Sequence, residues 1–430
     1  MHQRARELFG YALAECSIPR AFERNIRLDG ANLRVGETDY DLGAFSQLAT
    51  ISIGKAGHSM AEALSHTVPT GISGIVVCPA PPSVPLAGFR YFYGGHPLPN
   101  KDSLRAGDAV LELLHTLPER SLVLFLISGG ASAVAERPVR PDLTLSDIVD
   151  TYRALVHSGA PIAEINAIRK HLSGIKGGRM AQAAGAVMQV SLLISDVPDN
   201  APDALASGPT MPDSSTVSDC YAIAKRYSML ARFPERVRDI FERHELQETP
   251  KSGDPVFRNS QSVTVLSNQT ALRAASQRAT EAGFTVEVDS GCDDWDYAPA
   301  ADYLLARLRT LRQTSSPVCL ISGGEVTVKV GDQSGLGGRN QQFALYCASK
   351  ITGESITVLS AGTDGIDGNS PAAGAVVDGT TASRAKQRGL DPVAALSRFD
   401  AFPLLDTIGD TIVTGPTGNN VRDLRVLLAY

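Results

Sequence analysis

The sequence predicts an α/β fold in two domains, the first a doubly wound, mostly parallel sheet. Three observations predict it. At 430 residues the chain is too long for one small domain. Short apolar runs alternate with amphipathic helical patterns from about residue 49 onward. Several of those runs are apolar throughout, such as LVLFLI at 122–127, and strands apolar on both faces belong to parallel sheets covered by helices.

Taken in order, residues 2–16 read as an amphipathic helix with Leu8, Tyr11, Ala12 and Cys16 on one side. Residues 22–42 are polar and turn-rich and read as a surface excursion. A strand at 49–53 runs into Gly54-Lys55-Ala56-Gly57-His58 and a helix. Strands at 74–78 and 91–93 follow, then the loop GGHPLPN at 94–100 and a helix at 103–114. The strand 122–127 ends in Ser128-Gly129-Gly130-Ala131. Helices are expected at 147–158 and 162–172, and a buried strand at 190–194 ends in Ser195-Asp196-Val197-Pro198. A charged helical tract spans 217–244, and the polar, Pro- and Gly-bearing stretch 248–254 makes a domain boundary. A second α/β region is expected to open with a strand at 262–266. It continues with a helix at 271–283, a strand at 285–288 and a helix at 299–312. The strand 318–321 then ends in Ser322-Gly323-Gly324-Glu325. The run 326–330 alternates like a half-exposed strand and leads to Gly331, Gly335, Gly337 and Gly338, after which Arg339-Asn340-Gln341 opens a helix. Strands at 356–360 and 411–413 deliver Thr363-Asp364-Gly365-Ile366-Asp367 and the loop TGPTGNN at 414–420.

A net charge of −6 argues against a general nucleic-acid surface, so any anion site must be a local basic pocket. The six cysteines form no CxxC pair, which disfavours zinc and suits a reducing compartment. The longest apolar run, around 185–194, is broken by Gln189 and Ser191 and is too short to span a bilayer. A cytoplasmic protein without a membrane or nucleic-acid partner is expected.

The chemistry is expected where strands end. In open α/β sheets ligands sit at the carboxyl ends of strands, and here those ends carry Lys55, Ser128-Gly129-Gly130, Ser195-Asp196, Ser322-Gly323-Gly324-Glu325 and Thr363-Asp364. Glycine turns bring backbone N–H groups to an anion, and a helix start adds more. Lys55 offers a point charge and Arg339 a planar fork of donors. Arg169 and Lys176 lie in a basic stretch with a double glycine. Asp196, Glu325, Asp364 and Asp367 are the carboxylates for metal binding or proton transfer. Each has a plainer reading: Ser-Gly and Asp-Gly make good turns, and Lys55, Arg169 and Arg339 suit solvated surfaces. The chain contains no GxGxxG after a first strand, no GxSxG, and no GxxxxGK[ST] at Lys55. Phosphoryl transfer is the chemistry that fits basic loops, glycine-rich strand ends and several carboxylates together.

The motifs ISIGKA (51–56), GGHPLP (94–99), LISGGAS (126–132), NAIRKHLSGIKGGR (166–179), SDVP (195–198), ASGPT (206–210), ISGGE (321–325), GGRNQQ (337–342), SAGTDGIDG (360–368) and TGPTGNN (414–420) cover nearly the whole chain in order. They resemble the class II glycerate 2-kinases, whose C-terminal domain is of the MOFRL type. The resemblance implies a Rossmann-like domain at 1–245 and a mixed α/β MOFRL-type domain at 255–430, with the site in the cleft between them. It implies ATP- and Mg²⁺-dependent phosphorylation of D-glycerate at its 2-hydroxyl by a monomer or homodimer. On this reading Lys55, Asp196 and Arg339 are catalytic. Ser128, Gly129, Gly130, Arg169, Lys176, Ser322, Gly323, Gly324, Asn340, Thr363, Asp364 and Asn420 bind substrate or phosphate, and Asp196 and Glu325 hold the metal. Departures from the family pattern fall at Asn100, Ala131, Asp199-Asn200 and Asn419. They bear on which hydroxy acid is used; a related sugar acid is the alternative substrate. The label hydroxypyruvate reductase, carried by some members, lacks a dinucleotide fingerprint here.

Overall fold

The structure, a computed structural model, describes residues 1–69, 71–197, 202–330 and 335–430. Pro198, Asp199, Asn200 and Gly331, named above, lie outside the described residues. Packing divides the chain into two compact units, Ala21–Val265, and Met1–Arg20 together with Leu266–Tyr430.

In the first unit the expected surface excursion is a three-stranded antiparallel sheet: β1 (Ile26–Asp29), β2 (Asn32–Val35) and β3 (Thr38–Asp41). Its strands alternate, burying Leu33, Val35 and Tyr40. Gly30 and Gly36 supply the left-handed turns between them. Asp29-Gly30 was the hairpin signal in the sequence, obscured by the charge around it.

The main sheet of this unit contains β4 (Gln47–Ile53), β5 (Ser73–Cys78), β6 (Phe89–Tyr93), β7 (Ser121–Ile127), β8 (Met188–Ile194) and β9 (Ser260–Leu266), in the order β6-β5-β4-β7-β8-β9. The pairs from β6 through to β8 are parallel. Every residue of β7 is buried, as its unbroken apolar run requires. The strand order reverses between β4 and β7, which makes the ends of those two strands the topological switch point. Sequence reasoning expected β9 to open the second domain. It is instead the edge beside β8, and its half-exposed pattern is that of an edge strand.

The second unit holds β10 (Thr285–Val288), β11 (Val318–Gly323), β12 (Ile356–Gly362), β13 (Gly374–Asp378), β14 (Thr411–Ile412) and β15 (Asp423–Ala429), ordered β10-β11-β15-β12-β13-β14. Only β10 and β11 pair in parallel; the other pairs are antiparallel. The mixed α/β sheet therefore turns on β15, a fully buried strand between β11 and β12. The expected strand at 326–330 is absent: Thr327 makes one isolated bridge to Asp296 and no ladder. The helix His2–Glu15 packs Ala5, Leu8, Phe9 and Ala12 among Leu272, Ala275, Val426 and Leu428. That apolar face joins residues 1–20 to the second unit, whereas the sequence reading grouped them with 21–245. Among the described residues no helix is long and apolar enough to cross a membrane.

Candidate active site

Two constellations of polar groups are built at strand ends, one in each unit.

In the first unit β4 and β7 deliver their turns to one point. Gly54 adopts φ +131°, and a Cβ there would lie 2.3 Å from the Ser128 hydroxyl oxygen. Only glycine permits that approach. The two turns are stitched by Lys55 N–H donating to Gly129 O (2.9 Å) and Ala56 N–H to Ser128 Oγ (3.1 Å). Ser128 N–H is taken by Ile53 O. The N–H groups of Gly129 and Gly130 meet no acceptor among the described residues, so they are the donors left for an anion. The Lys55 side chain is exposed, and its ammonium makes no hydrogen bond or ion pair with a described residue. Its stem lies over Gly130, where a Cβ would be 3.0 Å from Cγ. Asp196, at the end of β8, lies against Gly129: a Cβ there would be 2.0 Å from Asp196 Oδ2. Lys55, Ser128, Gly129, Gly130 and Asp196 are thus brought together as expected.

Arg169 and Lys176 belong to a different environment. Lys176 is buried with its ammonium on the buried Glu136 carboxylate and 3.2 Å from Tyr152 Oη. Burial lowers its pKa, and Glu136 opposes that. Arg169 stacks 4.6 Å from the centroid of the Tyr152 ring. Lys176 therefore holds an internal ion pair and is not a phosphate ligand.

In the second unit the arginine fork is already aimed. Arg339, first residue of the helix Arg339–Lys350, donates to Asp423 Oδ2 (2.7 Å) and Oδ1 (3.0 Å) and lies 2.8 Å from Glu325 Oε1. Burial works against its charge, and the Asp423 bonds and charge outweigh it, raising the pKa. Asp367 takes the helix start: it accepts from the N–H groups of Asn340 (3.0 Å) and Gln341 (2.9 Å). Gly338 allows this, since a Cβ there would meet the Asp367 carboxylate at 2.3 Å. Burial pushes the Asp367 carboxyl up to about 6; the two N–H bonds and Arg339 oppose it, and Asp423 reinforces it. The helix N-terminus read from the sequence as an anion site is therefore filled by the protein's own carboxylate.

Other expected ligands here are also engaged internally. Gly323 N–H donates to Ser290 Oγ (3.2 Å), Gly324 N–H to Asn268 Oδ1 (3.1 Å) and Glu325 N–H to Asp293 Oδ1 (2.9 Å). Ser322 is fully buried. The Asn340 amide is held by Ser360 and Asp367, and the Thr363 hydroxyl donates to Arg422 O (2.7 Å). Asn420 Oδ1 accepts from Arg422 N–H (2.8 Å). These residues shape the loops and leave Glu325, Arg339 and Asp364 facing a cavity of about 690 Å³, whose apolar wall includes Val326, Val328, Ile366 and Phe399.

Sequence reasoning missed Asp423, Arg425, Asp293 and Arg422. Asp423 and Arg425 stand two apart on the buried strand β15, hence on one face, and Arg425 donates to Gly323 O (3.0 Å) and Gly324 O (3.2 Å). Arg422 has φ +70° and pairs through both Nη groups with Asp293 (2.6 and 2.8 Å). The signal was charge at alternate positions inside an apolar run. Two departures from the family pattern have structural roles: Asn100 caps the helix Lys101–Thr116, and Asn419 donates to Cys16 O (2.6 Å).

Among the described residues no three His, Cys, Asp or Glu side chains converge on a metal site. Asp196 and Glu325 are hard oxygen donors of the kind Mg²⁺ takes singly or in pairs, with phosphate oxygens completing its shell. The donor chemistry fits.

A family model described as a domain of unknown function (DUF4147) matches residues 4–242, and one described as the MOFRL family matches 318–423. The D-glycerate 2-kinase of Thermotoga maritima is 37% identical over 382 residues, 87% of this chain and 88% of that protein. A protein of Agrobacterium vitis named putative hydroxypyruvate reductase is 37% identical over 386 residues, 88% of this chain and 86% of its own. A crystal structure of glycerate kinase from Thermotoga maritima superposes with a TM-score of 0.87 at 34% identity, covering 100% of this chain and 99% of that one.

Proposed function

The chain belongs to the class II glycerate 2-kinase family with its MOFRL part, and from that premise we propose that it transfers the γ-phosphoryl group of ATP to the 2-hydroxyl of D-glycerate, giving 2-phosphoglycerate and ADP. The observation that carries this reading is the switch-point turn of the first unit: an exposed Lys55 ammonium and two glycine N–H groups, none of which has a partner among the described residues. That is a receptor for a phosphoryl group, where fixed donors stabilise charge as it moves to the leaving oxygen.

Lys55 and the Gly129 and Gly130 N–H groups hold the phosphoryl oxygens. Arg339, kept in plane by Asp423, presents its remaining donors to phosphate or to the glycerate carboxylate. Asp196 and Glu325 are each carboxylates that would serve Mg²⁺, which when bound supplies neutralisation of phosphate charge. Asp196 is also a candidate acceptor for the hydroxyl proton. The proposal expects a cytoplasmic enzyme, monomeric or dimeric.

Glycerate kinase names among the relatives support the reading. Hydroxypyruvate reduction is the rival, favoured by the names of two relatives. ADP release across a panel of small hydroxy acids decides. D-glycerate is expected to give the highest kcat/KM. Oxidation of NAD(P)H by hydroxypyruvate, with no ADP released from any acid, overturns the proposal.

A further inference from the structure

The loop GGHPLP at 94–99 places an imidazole beside Lys55, and nothing in the reading above uses it. The loop is built to tight tolerance. Gly94 N–H donates to Cys78 O (3.1 Å) and Gly95 N–H to Ser103 Oγ (3.0 Å). A Cβ on Gly94 would lie 1.9 Å from Val134 O, so the loop is pressed onto the short helix Ala131–Val134 that leaves the Ser128–Gly130 turn. His96 thereby comes over the same glycine as Lys55: a Cβ at Gly130 would be 3.1 Å from His96 Cδ2, 3.0 Å from Lys55 Cγ and 3.3 Å from Lys55 Cε. Gly130 has φ +82°, which residues with a side chain rarely adopt, and a Cβ there would push the Lys55 and His96 side chains back by a few tenths of an ångström. The imidazole, the Lys55 side chain and the Gly129 and Gly130 N–H groups, which meet no acceptor among the described residues, are therefore gathered at one turn.

Among the described residues two charged groups stand around this imidazole. Lys55 faces it from the end of β4, and Asp196 lies beyond Gly129 at the end of β8. Partial burial, and then the Lys55 charge, hold its pKa below the ordinary 6.5, so the ring is uncharged at neutral pH. An uncharged imidazole accepts a proton, and its exposed edge can pass that proton to water.

We propose that His96 is a further catalytic residue, accepting the proton of the acceptor hydroxyl during phosphoryl transfer. The inference rests on the kinase reading. The hydroxyl oxygen forms its bond to the γ-phosphorus. The bond from that phosphorus to the β,γ-bridging oxygen breaks, and its electron pair leaves with ADP. The hydroxyl proton passes to the unprotonated ring nitrogen of His96 and then to solvent. Asp196 is left to the metal.

The test compares wild type, His96→Gln, His96→Ala and Asp196→Asn, each with MgATP and D-glycerate. General-base loss predicts a fall in kcat of about 10²-fold or more for His96→Gln, with the KM for ATP little changed. Wild-type kcat/KM should fall on the acid side, below pH 6.5, as the imidazole gains its proton. His96→Gln should lose that acid limb and Asp196→Asn should keep it. Asp367 titrates near 6 in the other unit, so the difference between wild type and His96→Gln is what counts. Added imidazole should restore part of the activity of His96→Ala, a response that a packing role does not give. ATP affinity measured by calorimetry checks that each variant is folded. Wild-type kcat in His96→Gln overturns the proposal. So does lost activity with the acid limb intact and no rescue by imidazole. If wild type itself releases no ADP with D-glycerate, the kinase reading falls first.

Discussion

Replacing Arg339 separates what its fork does for folding from what it does for turnover. In Arg339→Ala the Asp423 carboxylate, 1% exposed, loses both of its hydrogen bonds, and the nearest remaining cation is Arg425 at 3.7 Å. Stranding a buried charge costs about 3–5 kcal/mol. Arg339 is itself 37% exposed, which places the expected loss near the lower end, about 3 kcal/mol. Alanine therefore confounds stability with catalysis. Arg339→Lys is the cleaner probe. An ammonium keeps the charge but cannot span both Asp423 oxygens while also reaching Glu325 or a ligand. We expect a loss of about 1–2 kcal/mol in urea unfolding and a fall in kcat of about 10²-fold. Urea melts and steady-state ADP release on the same preparation measure both. An Arg339→Lys protein with wild-type kcat/KM would refute the argument that the planar fork is what matters.

Three further outcomes are expected. Lys55→Ala removes an exposed ammonium that pairs with no described residue, so stability should change by no more than about 0.5 kcal/mol. Its kcat/KM should fall about 10³-fold; unchanged turnover in ADP release would remove Lys55 from the mechanism. Gly129→Ala puts a Cβ 2.0 Å from Asp196 Oδ2. That contact is with the end of a side chain, so the fold should lose no more than about 1–3 kcal/mol while displacement of Asp196 lowers kcat at least about tenfold. Asp367, with its pKa raised from 3.8 to about 6, binds a proton more readily folded than unfolded. Its protonation stabilises the fold fully below about pH 3.8, and this contribution is lost as pH rises through about 6. Wild type should therefore lose on the order of 2 kcal/mol relative to Asp367→Asn between pH 4 and 7 in urea melts; a pH-independent difference would contradict the buried-acid assignment.

The sequence made the first sheet readable because its central strands are unbroken apolar runs ending in small residues, and periodicity carries that information directly. The same logic located Lys55, the Ser128–Gly130 turn and Asp196, since strand order places those ends together. It misread the donors around Ser322–Gly324 and the Arg339 helix start. A glycine-rich turn looks alike whether its N–H groups await a ligand or are held by Asn268, Ser290, Asp293 and Asp367, all but Asp367 at least 29 residues away. β15 went unread because Asp423 and Arg425 interrupt its hydrophobicity, although both point inward to partners on other elements. Lys176 shows the same limit from the other side: its basic neighbourhood suggested an anion, and only the fold reveals that Glu136 is that anion.

The most direct test of the central claim is to incubate the protein with MgATP and D-glycerate and read the product by phosphorus–proton correlation NMR, with Lys55→Ala as the control. The account predicts a new phosphate ester coupled to the proton on C2 and absent with the variant. A phosphate coupled instead to the C3 protons, or a C2 ester formed equally by Lys55→Ala, would contradict it.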